Sequence, residues 1–365
     1  MPDKSDLRQR QALPLSAKVL MSQNRIREWY QHFNGDVYVS FSGGKDSTVL
    51  AHLVHDMYPE VPLVFCNTGL EYPEIQAFAK KMGAEFIRPK MNFSEVISTY
   101  GYPIISKETA EAIHYARKIR NGTEETKGRT GHRRKKLTCK DNSVFNKKKW
   151  FPLCRDSQFK ISHLCCDEMK KRPSRIYERK NNVVAFVGTL ASESVVRKTA
   201  WLRHGCNAYE AKNKISQPLS FWLEQDILHY IKQEGLEIAS AYGDIVAVDD
   251  DGYQYEPLQG MDCCLKCTGC NRTGCVFCGF GVHLEKGETR FQRLAKTHPK
   301  QYEYSMNGGQ WVDNPDYDPA APKMDGDWVN WNPKKIWVPS KKGLGMKKVF
   351  DDCNQIYGKD FIRYE

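Results

Sequence analysis

The segment Val37-Tyr38-Val39-Ser40-Phe41-Ser42-Gly43-Gly44-Lys45-Asp46-Ser47-Thr48-Val49-Leu50 restricts the fold of this chain more than any other. A β-prone run meets Ser-Gly-Gly-Lys-Asp-Ser and passes into apolar residues at helical spacing, Val49, Leu50, Leu53, Val54 and Met57. That order spells a strand, a tight turn and a helix start. Glycine at 43 and 44 lets the backbone turn sharply and leaves N–H groups unshielded around an anion. The helix N-terminus adds unpaired donors and a partial positive charge. Ser42, Ser47 and Thr48 supply hydroxyls and Lys45 a cation, so the turn suits a polyphosphate. The Gly-x4-Gly-Lys-Ser/Thr spacing of the Walker loop is absent.

The same rhythm continues along the chain. Residues 16–33 read as a helix, with Val19, Leu20, Ile26 and Trp29 near helical spacing. Strands are expected at 36–41 and 61–66, with a helix over 46–57 between them. Pro73 opens a helix through Met82, and 84–88 is a third short strand. Residues 93–100 and 107–119 read as helices. The apolar run 183–188 ends in glycine and reads as a buried parallel strand, and 221–233 as a helix. Alternation of this kind predicts a doubly wound, mostly parallel α/β sheet with ligands outside the carboxyl ends of its strands. The loops after 41, 66 and 187 all leave that edge.

Composition narrows the setting. The N-terminal Met1-Pro2-Asp3-Lys4-Ser5-Asp6 does not read as a signal peptide, and no apolar run reaches transmembrane length. A cytoplasmic protein without a membrane partner is expected, in a compartment where thiols stay reduced. The 13 cysteines then point to metal ligation more than to disulfides. The formal net charge of +11 is concentrated in Lys127–Lys149, where Arg133, Arg134, Lys135 and Lys136 lie among six other cations and only Asp141 opposes them. Such a patch fits a phosphate-rich partner, with nucleic acid the leading expectation and a solvated insertion the alternative.

Eight of the cysteines form two clusters, Cys165-Cys166 and the run Cys263-Cys264-x2-Cys267-x2-Cys270-x4-Cys275-x2-Cys278. Spacing alone leaves several groupings open. Cys264, Cys267 and Cys270 have the look of a ferredoxin run and, with Cys263, form a candidate second metal site. Cys267, Cys270, Cys275 and Cys278 have the spacing of a compact zinc site. Thiolate ligation suits iron as well. Cys66, Cys154, Cys206 and Cys353 are expected to be structural or incidental.

Ser42–Ser47 resembles the PP-loop of the ATP pyrophosphatases, which split ATP between its α and β phosphates. Three further stretches resemble the phosphoadenylyl-sulfate (PAPS) reductase family within that superfamily. They are Val61–Glu74 with Asn67-Thr68-Gly69, Gly188–Arg197 with Glu193-Ser194, and Gln217–Ile227 with Pro218-Leu219, Trp222 and Glu224-Gln225-Asp226. The four motifs span roughly residues 36 to 285. The resemblance implies an adenine nucleotide alpha hydrolase-like fold binding ATP or a related adenine nucleotide with Mg²⁺. Ser42, Gly43, Gly44, Lys45, Asp46, Ser47, Thr68, Gly69, Gly188 and Glu193 would line the nucleotide. Lys45, Asp46 and Arg197 would act on its phosphates, with Asp46 orienting Mg²⁺ or capping the helix. Arg197 would meet phosphate or sulfate, or pair with Glu193, and Lys107 would face the same anion. The family's iron–sulfur branch implies one [4Fe–4S] cluster held by Cys165, Cys166, Cys275 and Cys278.

The expected domains are an N-terminal helical segment 1–35, a nucleotide-binding domain 36–260 with a basic insertion 121–150, a cysteine-rich metal segment 261–286, and an irregular, aromatic-rich extension 287–365. Family reductases carry a nucleophilic cysteine in a terminal Glu-Cys-Gly motif. Here Cys353 stands in Asp351-Asp352-Cys353-Asn354, where neighbouring acids disfavour the thiolate. The leading expectation is therefore an enzyme that adenylates an acceptor, nucleic acid being one candidate, for sulfur transfer, with a sulfur-donor protein as partner. A PAPS or adenylyl-sulfate reductase is the first alternative. A non-catalytic nucleic-acid-binding accessory protein is the second.

Overall fold

The structure is a computed structural model that describes residues 3–118, 147–257, 263–321 and 331–365. The chain folds as two units, Met1–Pro89 with Arg172–Gly274, and Lys90–Lys171 with Cys275–Glu365. Most of the basic run Lys127–Lys149 lies outside the described residues, and so does Trp328. Among the described residues no helix is long and apolar enough to cross a membrane.

The first unit is built on the strand that precedes the glycine turn. Strand β1 (Val37–Phe41) pairs in parallel with β2 (Leu63–Cys66) on one side and with Val184–Val187 on the other. Val39 stands opposite Leu63 and Phe186. Strand β3 (Glu85–Ile87) continues the sheet beyond β2, and Ile215–Ser216 continues it beyond Val184–Val187. Asn207–Ala208 closes the far edge and is the sheet's antiparallel strand. The expected parallel arrangement is thus observed, and the loops after 41, 66 and 187 leave a common edge.

Helix α1 (Lys4–Gln11) leads into α2 (Leu15–His32), and α3 (Lys45–His55) leaves the turn after β1. Val49, Leu50, Leu53 and Val54 of α3 are fully buried, each contributing roughly 1.5–3 kcal/mol by leaving water. The Pro-Leu…Trp…Glu-Asp stretch ties α2 to the helix Glu224–Gln233. Ser22 Oγ donates to the Pro218 carbonyl at 3.0 Å, and Trp222 Nε1 donates to Ser22 Oγ at 2.9 Å. Lys18 Nζ lies 2.7 Å from Asp226, which also accepts the Leu223 N–H that opens its helix. Cys264–Cys267 is a strand, antiparallel to Ile245–Val248. The cysteine spacing gives no sign of it, because the two residues between the cysteines are one apolar and one polar.

The second unit has a core of its own around Phe291, Leu294, Leu344, Met346, Val349, Phe350 and Cys353. Ile104–Ile105 pairs in parallel with Gly279–Phe280, and Gln310–Asp313 forms an antiparallel ladder with Lys335–Val338. The C-terminal segment forms the helix expected over 347–357, at Met346–Tyr357, and holds more regular structure before it than its weak periodicity suggests, with helices Arg290–Thr297 and Pro299–Met306. Trp331 and Trp337 are packing anchors. Trp337 donates to the Gly345 carbonyl at 2.9 Å, and Trp331 donates to the Ser157 carbonyl at 2.7 Å while lying 4.3 Å from the Arg117 guanidinium.

Candidate nucleotide site and cysteine cluster

The turn after β1 closes on itself through its hydroxyls. Ser42 Oγ and Ser47 Oγ are 2.9 Å apart, and Ser47 Oγ also accepts the Ser42 N–H at 3.2 Å. Ser47 and Thr48 hydroxyls donate to the Gly44 carbonyl at 2.8 and 3.1 Å. Gly43 sits at φ +69, a left-handed conformation that favours glycine, and a Cβ there would lie 2.8 Å from Ile75 Cγ2. A Cβ on Gly188 would lie 2.9 Å from the Asp46 carbonyl oxygen, so the loop after Val187 abuts the first turn of α3 backbone to backbone.

Lys45 is buried. Its ammonium is 3.6 Å from Asp46 Oδ1 and 3.1 Å from Glu224 Oε1. Burial acts to lower its pKa, but the Asp46 and Glu224 carboxylates outweigh burial and hold it above the ordinary lysine value. Burial raises the Asp46 pKa, Lys45 opposes that, and Glu224 adds to it. Asp46 does not cap its helix. Gly44 occupies the N-cap without a side-chain bond, and the buried Asp46 Oδ1 makes no hydrogen bond. An unbonded carboxylate oxygen beside a second carboxylate is a donor set that fits a hard divalent cation such as Mg²⁺.

The other expected residues gather at the same edge. The Thr68 N–H and hydroxyl donate to Glu71 at 3.1 and 2.7 Å, which fixes the loop after β2, and Gly69 adopts φ +73. Glu193 pairs with Arg197, so that expected ion pair forms, and it accepts the Leu190 N–H at 3.1 Å. Arg197 is also sensitive to Asp46. Burial lowers its pKa first, Arg272 lowers it further, and Asp46 opposes both.

Four participants escaped the sequence reading. Glu224 reaches Lys45 from the helix that follows Trp222. Arg272 lies 3.3 Å from Glu193. The Tyr242 hydroxyl accepts the Lys45 N–H at 3.3 Å and hydrogen-bonds the Thr273 hydroxyl at 2.7 Å. Glu224, Arg272 and Thr273 stand inside stretches singled out for other reasons. Nothing in the sequence marks Tyr242.

Cys165, Cys166, Cys275 and Cys278 all belong to the second unit. Burial raises the Cys165 pKa, and each of the other three thiols raises it further. Burial together with Cys275 and Cys166 pushes Cys278 to about 12. Four thiols that sense one another suit a four-thiolate group in kind. Among the described residues no three His, Cys, Asp or Glu side chains stand at metal-ligand spacing. The Cys165-Cys166 pair directly precedes a π-turn over Asp167–Lys171, a local widening of the helix often found at functional sites. Lys107 begins the helix Lys107–Lys118 in this unit and helps to lower the Asp167 pKa, against burial and after Lys171.

The set Cys263, Cys264, Cys267 and Cys270 behaves differently. Cys264 and Cys267 are three residues apart on one strand, which puts their side chains on opposite faces, Cys264 exposed and Cys267 buried. Cys264 and Cys267 therefore do not converge. Cys267 is instead a neighbour of the glycine turn: burial raises its pKa, and Lys45 opposes that rise.

The model of the phosphoadenosine phosphosulfate reductase domain matches residues 36–279. A phosphoadenosine 5'-phosphosulfate reductase of Xanthomonas oryzae pv. oryzae is 30% identical over 103 residues, 28% of this chain and 39% of that protein. An adenosine 5'-phosphosulfate reductase of Staphylococcus haemolyticus is 26% identical over 152 residues, 38% of this chain and 59% of that protein. The chain thus spans less than two thirds of the length of either relative. A solved PAPS reductase from Candida auris in complex with phosphate superposes with a TM-score of 0.35 at 12% identity, covering 66% of this chain and 91% of its own.

Proposed function

Because the chain belongs to the phosphoadenosine phosphosulfate reductase domain family, we propose that it binds ATP at the glycine turn and cleaves it between the α and β phosphates to adenylate an acceptor for sulfur transfer. The observation that carries this reading is the buried Asp46 Oδ1, which makes no hydrogen bond beside Lys45 at the mouth of an N–H-lined turn. Attack on the α-phosphate expels pyrophosphate, so negative charge grows on the β-phosphate oxygens. The α3 N-terminus is fixed in advance near that charge, with the Lys45 N–H held by Tyr242 and the Gly44 N–H by Ser42 Oγ. Lys45 adds a desolvated cation whose position Glu224 and Asp46 hold. Tyr242 and Thr273 keep the backbone at Lys45 in place.

Mg²⁺ held by Asp46, with Glu224 near, would supply further charge neutralisation. A [4Fe–4S] cluster held by Cys165, Cys166, Cys275 and Cys278 would supply a site for sulfur or electron transfer. The acceptor that best suits the basic run ending at Lys147–Lys149 is a nucleic acid, for electrostatic reasons alone. A sulfur-donor protein would complete the reaction.

The environment of Cys353 favours this reading over reductase chemistry. Cys353 is fully buried in the helix Met346–Tyr357, and burial first, then Asp352, raises its thiol far above the ordinary range. A thiol in that state is not a nucleophile. The test offers PAPS or adenylyl sulfate with a thiol reductant in one arm, and ATP, Mg²⁺ and a nucleic-acid acceptor in the other. Sulfite in the first arm that disappears in Cys353→Ala would establish the reductase. AMP formation in the second arm that survives Cys353→Ala supports adenylation.

A further inference from the structure

Six lysines crowd one short stretch of the second unit, Lys334, Lys335, Lys341, Lys342, Lys347 and Lys348, and no acid stands between Asn332 and Phe350. The ladder of Gln310–Asp313 with Lys335–Val338 sets Trp311 opposite Trp337 and Asp313 opposite Lys335. Side chains alternate along a strand, so these four share one face, while Ile336 and Val338 are buried on the other. Lys341 and Lys342 lie in the turn that follows, where Ser340 Oγ accepts the Gly309 N–H at 3.2 Å. Lys348 Nζ lies 5.7 Å from the Trp311 ring, which brings the first turn of Met346–Tyr357 to the same face. That turn holds two lysines and no acid, the reverse of what a helix N-terminus favours.

The charge is only partly compensated. Lys347 pairs with Glu365 at 2.6 Å and Lys348 with Asp352 at 2.5 Å. Lys334, Lys335, Lys341 and Lys342 are exposed and make no ion pair with another described residue. Among them Trp311 is 41% exposed, whereas Trp29, Trp150, Trp201 and Trp222 are buried. Its ring packs on Trp337 at 5.4 Å and 66°. Trp337 is itself locked in place, because it donates to the Gly345 carbonyl and a Cβ on Gly345 would lie 2.7 Å from its Nε1. A propped, exposed ring among unpaired cations is a stacking platform in a positive field.

We propose that this face of the second unit binds single-stranded nucleic acid, with a base stacked on Trp311 and the adjoining phosphates on Lys334–Lys335 and Lys341–Lys342. The inference deepens the nucleic-acid reading above and rests on it for the identity of the partner. Lysine places a compact charge on a flexible stem and so follows a flexible phosphate backbone. Stacking on tryptophan is tolerant of sequence, because every base has a π-face. A duplex keeps its bases stacked on one another and offers Trp311 none, so the platform selects single strands over duplex.

Fluorescence anisotropy of the full chain with labelled oligo(dT), oligo(U), the matching duplexes and heparin tests the surface. Trp311→Ala should weaken the single strands roughly tenfold and leave duplex and heparin within about twofold. Trp311→Phe should recover most of that loss, because it keeps a ring. Replacing Lys334, Lys335, Lys341 and Lys342 by Ser should flatten the salt dependence of single-strand affinity by up to about three units, at roughly 0.7 for each lost phosphate contact. The oligonucleotide more sensitive to Trp311→Ala tells DNA from RNA. Single-strand affinity unchanged in Trp311→Ala, an equal loss for heparin, or a salt slope unchanged in the lysine variant would overturn the proposal. Binding of phosphatidylserine vesicles through Trp311, with none of oligonucleotides, would give the face to a membrane and overturn it too. ATP affinity by calorimetry should stay at the wild-type level in every variant, since the glycine turn belongs to the first unit. A wild type that binds oligo(dT) through Trp311 yet forms no AMP would keep this surface and refute adenylation. Trp311 is exposed, so its replacement does not threaten folding, and coincident thermal melts check that point.

Discussion

Gly188→Ala tests how the loop after Val187 is fitted to the nucleotide turn. The added methyl carbon would lie 2.9 Å from the Asp46 carbonyl oxygen, 3.0 Å from its carbon and 3.1 Å from Ser47 Cα. Ordinary contact begins near 3.4 Å, so the two backbones must part by about half an ångström. Neither side yields easily. The strand Val184–Val187 is paired with β1 and with Ile215–Ser216, and α3 is anchored by five fully buried side chains. Overpacking of this kind costs about 1–3 kcal/mol. The displaced first turn carries N–H donors, and weakening one hydrogen bond to a charged phosphate, worth about 1.5–3 kcal/mol, should cost roughly tenfold in ATP affinity. Urea denaturation and calorimetric titration measure the two effects. Gly274→Ala is the control, because a Cβ there meets nothing within 4 Å. Wild-type stability together with wild-type ATP affinity in Gly188→Ala would show that the two backbones are not fitted this tightly.

Two further predictions concern the first unit. Lys18→Met strands Asp226, whose partner side chain is 3% exposed, and should cost about 3 kcal/mol in a urea midpoint experiment, with Lys18→Met/Asp226→Asn recovering part of that. Glu178 has a raised pKa, chiefly through burial and in spite of the Tyr38 hydroxyl bond. Its folded value lies above its unfolded value, so its contribution is full below the unfolded value of 4.5 and is lost as pH rises through the folded one. Glu178→Gln should therefore gain stability relative to wild type between pH 4 and pH 7, and urea midpoints that do not diverge over that window would contradict it.

The parallel sheet was legible because buried strands and amphipathic helices alternate in the sequence, and because glycines 43, 44 and 188 stand where strands end. The turn Ser42–Ser47 was legible because it is local to a strand end, whereas Glu193 and Arg197 were singled out only by the resemblance to the family. Glu224, Tyr242 and Arg272 act on that turn or on its neighbouring loop from far along the chain, and only tertiary packing brings them there. The strand Cys264–Cys267 shows a different limit. Spacing counts residues but does not say which face of a strand each occupies, so a run with ligand spacing can split its thiols between two faces. The helix at the chain's end was legible over 347–357, but Arg290–Thr297 and Pro299–Met306 were obscured because each is only about two turns long and Pro299 breaks the pattern between them.

The identity of the nucleotide product decides whether the glycine turn directs cleavage between the α and β phosphates. Anaerobic protein is given α-labelled ATP, Mg²⁺ and a nucleic-acid acceptor, and the products are separated. The account predicts AMP, free or attached to the acceptor, with an equal amount of pyrophosphate, and Lys45→Ala slower by roughly a hundredfold or more through the loss of one preorganised charge donor. ADP with inorganic phosphate as the main products, at a rate that Lys45→Ala leaves unchanged, would contradict it.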